Sequence, residues 1–138
     1  IALDNSRLDQ TYNTPALATI LLMAEQVDWF NGQGGLDWCV GRTRDSSSRL
    51  YAWAEKTAWA TPFVTDPAKR SQVVGTIDLD GAIDAAAVAG VLRRHGVVDV
   101  DPYRKLGRNQ LRIATFVSID PEDVRQPIRS IDYTIDAL

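Results

Sequence analysis

The sequence holds one cysteine, one histidine and one methionine in 138 residues. A lone Cys39 excludes an internal disulfide framework and a multi-thiolate zinc site, and it fits a reducing cytoplasm. With His95 as the only imidazole, a Ser–His–Asp arrangement has a single possible base, and no nucleophile elbow accompanies it. No apolar run approaches the roughly 20 residues that span a bilayer, and Ile1-Ala2-Leu3-Asp4-Asn5 has neither a basic n-region nor a long apolar h-region, so no membrane partner is expected. Positive charge is also short. Fifteen Lys and Arg stand against eighteen Asp and Glu, a net charge of −3, which gives no global field to collect nucleic acid or anionic lipid. Any anion site must be local. Neither GxGxxG nor GxxxxGK occurs, so nucleotide binding by those loops is not expected. The first residue is not methionine, from which we expect a native chain that begins further upstream.

What is present is ordinary for a folded domain: 45% apolar and 24% charged residues, in a length able to bury roughly two thirds of its unfolded surface. TPALATILLMAEQVDWF, from Thr14 to Phe30, predicts a helix capped by Asn13 or Thr14, with Pro15 in its first turn and Asn31-Gly32-Gln33-Gly34-Gly35 as its stop. Between Ala16 and Ala24 only Thr19 is polar, so the helix start is apolar on all sides. It serves either a larger interface or the centre of a core. A second helix is expected from about Leu36 to Thr57, as one piece or two, because Asp45-Ser46-Ser47-Ser48 compete for the backbone; the serines read as a polar face. Beyond Pro62 the pattern alternates: strand 72–79, helix 82–95 stopped by Gly96, strand 110–117, and a helix from Pro121 started by Asp120-Pro121-Glu122. That is an α+β layer. The change of composition near Arg42 to Asp45 marks a domain boundary, giving 1–42 and 43–138. Four tryptophans, Trp29, Trp38, Trp53 and Trp59, read as packing anchors, and Cys39 as a small buried apolar residue.

Two constellations carry possible chemistry. Asn13-Thr14-Pro15 precedes the strongest helix, where free N–H groups, a positive dipole end and a hydroxyl suit a phosphate; the alternative is plain capping. DPYRKLGRNQLR, from Asp101 to Arg112, sets four cations in nine residues between a helix and a strand. Lys105 and Arg108 fall in a glycine-containing loop and read as solvated. Arg112 sits inside LRIATF, where it either binds an anion, pairs with a nearby acid, or faces outward from the strand.

Five stretches, LDNSRLDQTYNTPALATILLMAEQ, NGQGGLDWC, RTRDSSSRLYAWAE, RSQVVGTIDLD and DPYRKLGRNQLRI, together resemble the C-terminal part of the phosphoserine aminotransferase family, in its mycobacterial-like branch, over essentially the whole chain. The resemblance implies an α/β fold: the C-terminal part of a fold-type I pyridoxal phosphate (PLP) transferase, a small antiparallel or mixed sheet packed with helices and preceded by helices from the end of the large domain. It implies PLP as cofactor and phosphoserine- and glutamate-type anionic substrates. The enzyme so implied is a homodimer whose second copy shares the active sites. Asn13 and Thr14 match the pair that binds the cofactor phosphate, in the neighbouring subunit's site. Arg112 matches the arginine that grips the substrate α-carboxylate, and Arg104 one that holds the distal anionic group. Tyr103 stands where many relatives have a histidine; it donates a hydrogen bond but carries no positive charge, which leaves its part in substrate binding open. The spacing from Arg104 to Arg112 is longer than in the enterobacterial branch. The lysine that would bind the cofactor covalently is expected upstream of residue 1, so no catalytic residue is expected in this chain, and the chain alone is expected to be inactive and to self-associate. A stand-alone anion-binding module and a dimerisation module are the alternatives.

Overall fold

The computed structural model describes residues 2–103 and 105–137. By contacts the chain divides into two units, Ile1–Trp38 and Cys39–Leu138.

In the first unit α1 (Ala2–Arg7) is followed by α2 (Leu17–Gln33) and by the first turn of α3 (Gly35–Lys56). The start of α2 corrects the expectation from sequence. Ala16, not Asn13 or Thr14, stands at the N-cap and provides no side-chain cap, and Pro15 lies ahead of the helix instead of in its first turn. The physical reason is a tight turn: the Leu17 N–H donates to the Pro15 carbonyl at 2.9 Å with Ala16 at φ −75°, ψ 76°, an inverse γ-turn, and Thr14 is kept out of helical space by the proline that follows it. Gly34 separates α2 from α3. Its φ of +126° suits glycine alone, and a Cβ there would meet the Trp38 Cβ at 3.1 Å. Trp29 meets Trp38 edge-on at 5.5 Å, as expected of a packing anchor. No residue of α2 is buried, and Leu17, Leu22 and Met23 are 70%, 69% and 68% exposed.

The second unit is built on a three-stranded antiparallel sheet in the order β1 (Ala60–Pro62), β2 (Val74–Leu79), β3 (Gln110–Ala114), with α4 (Ala85–Arg94) between β2 and β3 and α5 (Pro121–Ala137) at the end. Burial alternates along β2, so Gly75, Ile77 and Leu79 turn to the core and Val74, Thr76 and Asp78 away from it. The register Gly75↔Ile113, Thr76↔Arg112, Ile77↔Leu111 carries the same alternation to β3. Leu111 and Ile113 join Leu50 of α3, Val88 and Leu92 of α4, and Ile131 of α5 in one apolar core. α3 is unbroken, and its serines depart from expectation. Ser46 and Ser47 are buried, because they share the stripe Thr43, Ser46, Ser47, Leu50, Ala54 at helical spacing; Ser48 alone of the three is exposed.

Specific polar ties fix the elements. Asp84 caps α4 by accepting from the Ala86 and Ala87 N–H groups. Asn109 donates through Nδ2 to the carbonyls of Leu79, Asp80 and Ile83 and accepts the Ala85 N–H on Oδ1 at 2.9 Å, which fastens the start of β3 to the β2–α4 turn. At the other end of α4, His95 is the C-cap and Gly96 follows at φ +86°. Asp120 caps α5 through the Glu122 N–H and also accepts from Arg42 Nη2 at 3.1 Å, while Arg42 Nε donates to the Val117 carbonyl at 2.8 Å. Trp53 Nε1 donates to Asp132 Oδ1 at 2.8 Å, a second tie between α3 and α5. Among the described residues no helix is long and apolar enough to cross a membrane.

Two outcomes follow for stability. A Cβ at Gly75 would overlap Leu50 Cδ2, whereas one at Gly81 would meet nothing. Gly75→Ala is expected to lower the free energy of unfolding by about 1–3 kcal/mol and Gly81→Ala to change it by no more than about 0.5 kcal/mol, read by urea denaturation. The Glu122 N–H and then Arg42 hold the Asp120 carboxyl below its usual range. A carboxyl depressed in the folded state contributes stability above its unfolded value and loses it as pH falls through the folded one. The melting temperature is therefore expected to fall as pH drops below about 4, and to fall less steeply in Asp120→Asn.

Candidate anion-binding site

The outward side of β3 places Arg112 on the face of the sheet away from the apolar core, half-buried, between buried Leu111 and Ile113. Its backbone N–H donates to the Val100 carbonyl at 3.0 Å, so the segment before the cationic loop runs alongside β3. The guanidinium lies 5.7 Å from the centre of the Tyr103 ring. Among the described residues no carboxylate comes within ion-pair distance of it. Of the three readings left by the sequence, the ion pair is absent among the described residues, and Arg112 does face outward from the strand, half-buried rather than fully exposed. A half-buried guanidinium retains five donors in a planar fork, which suits a carboxylate or phosphate.

Two hollows meet at Arg112. One of about 370 Å³ is lined by Pro102, Tyr103, Lys105 and Arg112. The other, about 540 Å³, is lined by Arg93, Asp99, Asp101, Pro102 and Arg112. Both are within the size range of small-ligand sites. A hollow of about 550 Å³ between α4 and α5, lined by Leu92, His95, Arg129 and Tyr133 among others, is mostly apolar. Among the described residues no group of His, Cys, Asp and Glu is placed to hold a metal ion.

Two neighbouring cations, Arg108 and Arg93, are committed to partners. Arg108, read from sequence as solvated, is exposed and in addition donates through Nε and Nη2 to both oxygens of Asp78 at 3.2 and 2.8 Å and lies over the Phe63 ring at 5.1 Å. The cause is the register: Asp78 faces outward opposite Gln110, two residues from Arg108, and takes a further 2.6 Å bond from Gln110 Nε2. These bonds raise the Arg108 pKa above its usual value. Arg93 at the end of α4 donates from Nη2 to Asp99 and to Asp101 at 2.9 Å each, and those bonds, Asp101 first, likewise push its pKa up. Lys105 is exposed, as expected.

Tyr103 and Arg112 are thus brought together, and Arg104 lies outside the described residues. Asn13 and Thr14 belong to the first unit. They are exposed on the irregular stretch before α2, and among the described residues neither side chain has a hydrogen-bond partner. Because the α2 cap does not use them, both remain available to an anion, which is what a phosphate-holding pair requires. Cys39 is half-buried, not fully buried as expected. Arg93, Asp99 and Pro102 were not singled out in the sequence; the cluster of a helix-ending arginine followed by two aspartates six and eight residues later was the available signal.

No family model matches the chain. It is 69% identical over all 138 residues to a phosphoserine aminotransferase of Rhodococcus jostii (strain RHA1), 68% to that of Rhodococcus opacus (strain B4), and 61% to a putative phosphoserine aminotransferase of Mycobacterium avium (strain 104). Among solved structures it superposes on the phosphoserine aminotransferase of Bacillus circulans subsp. alkalophilus with a TM-score of 0.84 at 20% identity, covering 98% of this chain and 36% of that one. It also superposes on a PLP-bound phosphoserine aminotransferase from Trichomonas vaginalis, with a TM-score of 0.77 at 15% identity, covering 93% and 36%. These structures share the fold. The chain spans about 37% of the length of the curated relatives it matches, and over that span it is similar throughout to phosphoserine aminotransferases.

Proposed function

We propose that this chain is the C-terminal part of a PLP-dependent phosphoserine aminotransferase, which moves an amino group between L-glutamate and 3-phosphohydroxypyruvate to give O-phospho-L-serine and 2-oxoglutarate in cytoplasmic serine biosynthesis. Residues 1–42 end the large cofactor-binding domain and residues 43–138 form the small one. The observation that carries this reading is Arg112: a half-buried guanidinium without a carboxylate partner among the described residues, on a chain 69% identical to a protein of that name.

In this reading Arg112 grips the substrate α-carboxylate through two parallel N–H donors, which fixes the position and tilt of the α-carbon. Tyr103 shields one face of that guanidinium and has a phenolic O–H to offer the substrate's distal anion, which Arg104 also binds. Asn13 and Thr14 hold the cofactor phosphate, in the site of a second copy of the chain. When bound, PLP supplies an electron sink for charge that develops at the α-carbon. The lysine that binds it covalently belongs to the part of the enzyme outside these 138 residues. Surfaces of that part, and of the second subunit, cover the apolar sides of α2, whose exposure in this chain supports the reading.

The test is transamination by the full-length polypeptide that carries this sequence. Turnover of O-phospho-L-serine with 2-oxoglutarate is expected, and none from residues 1–138 supplied with PLP. Arg112→Ala is expected to lower kcat/KM by roughly 10- to 150-fold, the equivalent of about 1.5–3 kcal/mol for a charge-assisted pair. Wild-type kcat/KM in that variant, or no turnover by the full-length enzyme, contradicts the reading.

A further inference from the structure

Arg93 lines the second of the two hollows that meet at Arg112. One nitrogen of its guanidinium, Nη2, bridges Asp99 Oδ1 and Asp101 Oδ2, each at 2.9 Å, and all three residues line the same hollow as Arg112. The segment between the two aspartates is held from the other side too, since the Val100 carbonyl accepts the Arg112 backbone N–H. Asp99 sits at φ +61°, a conformation that a non-glycine residue keeps only when its surroundings hold it. Two carboxylates therefore line the hollow beside an anion receptor, and one arginine donates to both.

We propose that Arg93 is a positioning residue that sets the charge of the Arg112 cavity, holding Asp99 and Asp101 turned toward itself so that the more negatively charged substrate is accepted. The inference rests on the reading of the chain as part of a phosphoserine aminotransferase. Loss of the Arg93 charge removes one cation from the cavity wall and its hydrogen bonds to two carboxylates. Phosphoserine, whose phosphate carries close to two negative charges at neutral pH, is penalised more than glutamate, whose second anion carries one. A role confined to ordering the loop would weaken both substrates alike.

The full-length enzyme and its Arg93→Gln variant provide the test. The KM for O-phospho-L-serine is expected to rise about tenfold and that for L-glutamate by no more than about threefold, with kcat within about twofold. In the triple variant Arg93→Gln, Asp99→Asn, Asp101→Asn the two carboxylate charges are lost together with the cation, and the phosphoserine KM is expected to return to within about threefold of wild type. An equal rise for both substrates, or a triple variant no better than the single one, overturns the proposal. If Arg93→Gln does not fold, Asp99→Asn with Asp101→Asn keeps the cation and removes its partners; a lower phosphoserine KM then supports the proposal, and an unchanged or higher one overturns it. If the wild-type enzyme does not transaminate, the functional reading has failed. Calorimetric titration of phosphoserine and glutamate into the same proteins then decides the Arg93 inference, with the dissociation constants in place of KM.

Discussion

The pairing of Arg112 with Thr76 across β2 and β3 decides which side of the sheet carries the charge. Side chains alternate along a strand, so a slip of one residue would drive the guanidinium into the core and turn Leu111 and Ile113 to water. Burying an unpaired cation costs several kcal/mol, and exposing two large aliphatic side chains adds to that. The register is therefore strongly specified by the core. Gly75 supports it, because a Cβ there would overlap Leu50 Cδ2 in the core. Asn109 fixes the other end, tying β3 to the turn that launches α4 and hence to the arginine at the end of that helix.

On this frame the charges are sorted by position. Asp78 takes Arg108 and Gln110, Asp99 and Asp101 take Arg93, and Asp120 takes Arg42. Among the described residues of the loop-and-strand region, Arg112 is the arginine that contacts an aromatic ring and no carboxylate. A chain with a net charge of −3 has no general attraction for anions, so a receptor must come from this kind of local imbalance.

Much of the second unit was legible because periodicity and caps agree there. The alternation of VGTIDL, the small-residue run before Arg93-Arg94, and the Asp120-Pro121-Glu122 start each encode one local preference that the core then reinforces. The strand β1 was not legible, since Ala60-Thr61-Pro62 has no period of its own and is a strand only because β2 pairs with it. The serines of α3 misled for a related reason: residue type says polar, whereas their spacing on the Thr43–Ala54 stripe says buried. At α2 the cap signal Asn13-Thr14-Pro15 was genuine turn chemistry, but the inverse γ-turn at Ala16 moved the helix start beyond it. That displacement frees Asn13 and Thr14 from capping. The candidacy of Arg112 was visible from its place in an apolar strand, and that of Arg93 from two aspartates six and eight residues on, while the bonds that occupy Arg108 join residues 30 apart and left no local trace.

The central claim is that Arg112 is an anion receptor held ready by the sheet. Its most direct measurement is the side-chain Nε–Hε resonance of Arg112 in the isotope-labelled chain, assigned by its loss in Arg112→Lys, during titration with O-phospho-L-serine. The account predicts a saturable downfield shift of that resonance with little change at Arg108, whose donors Asp78 already occupies. An Arg112 resonance that does not move, or a shift shared equally by the exposed arginines, would contradict it.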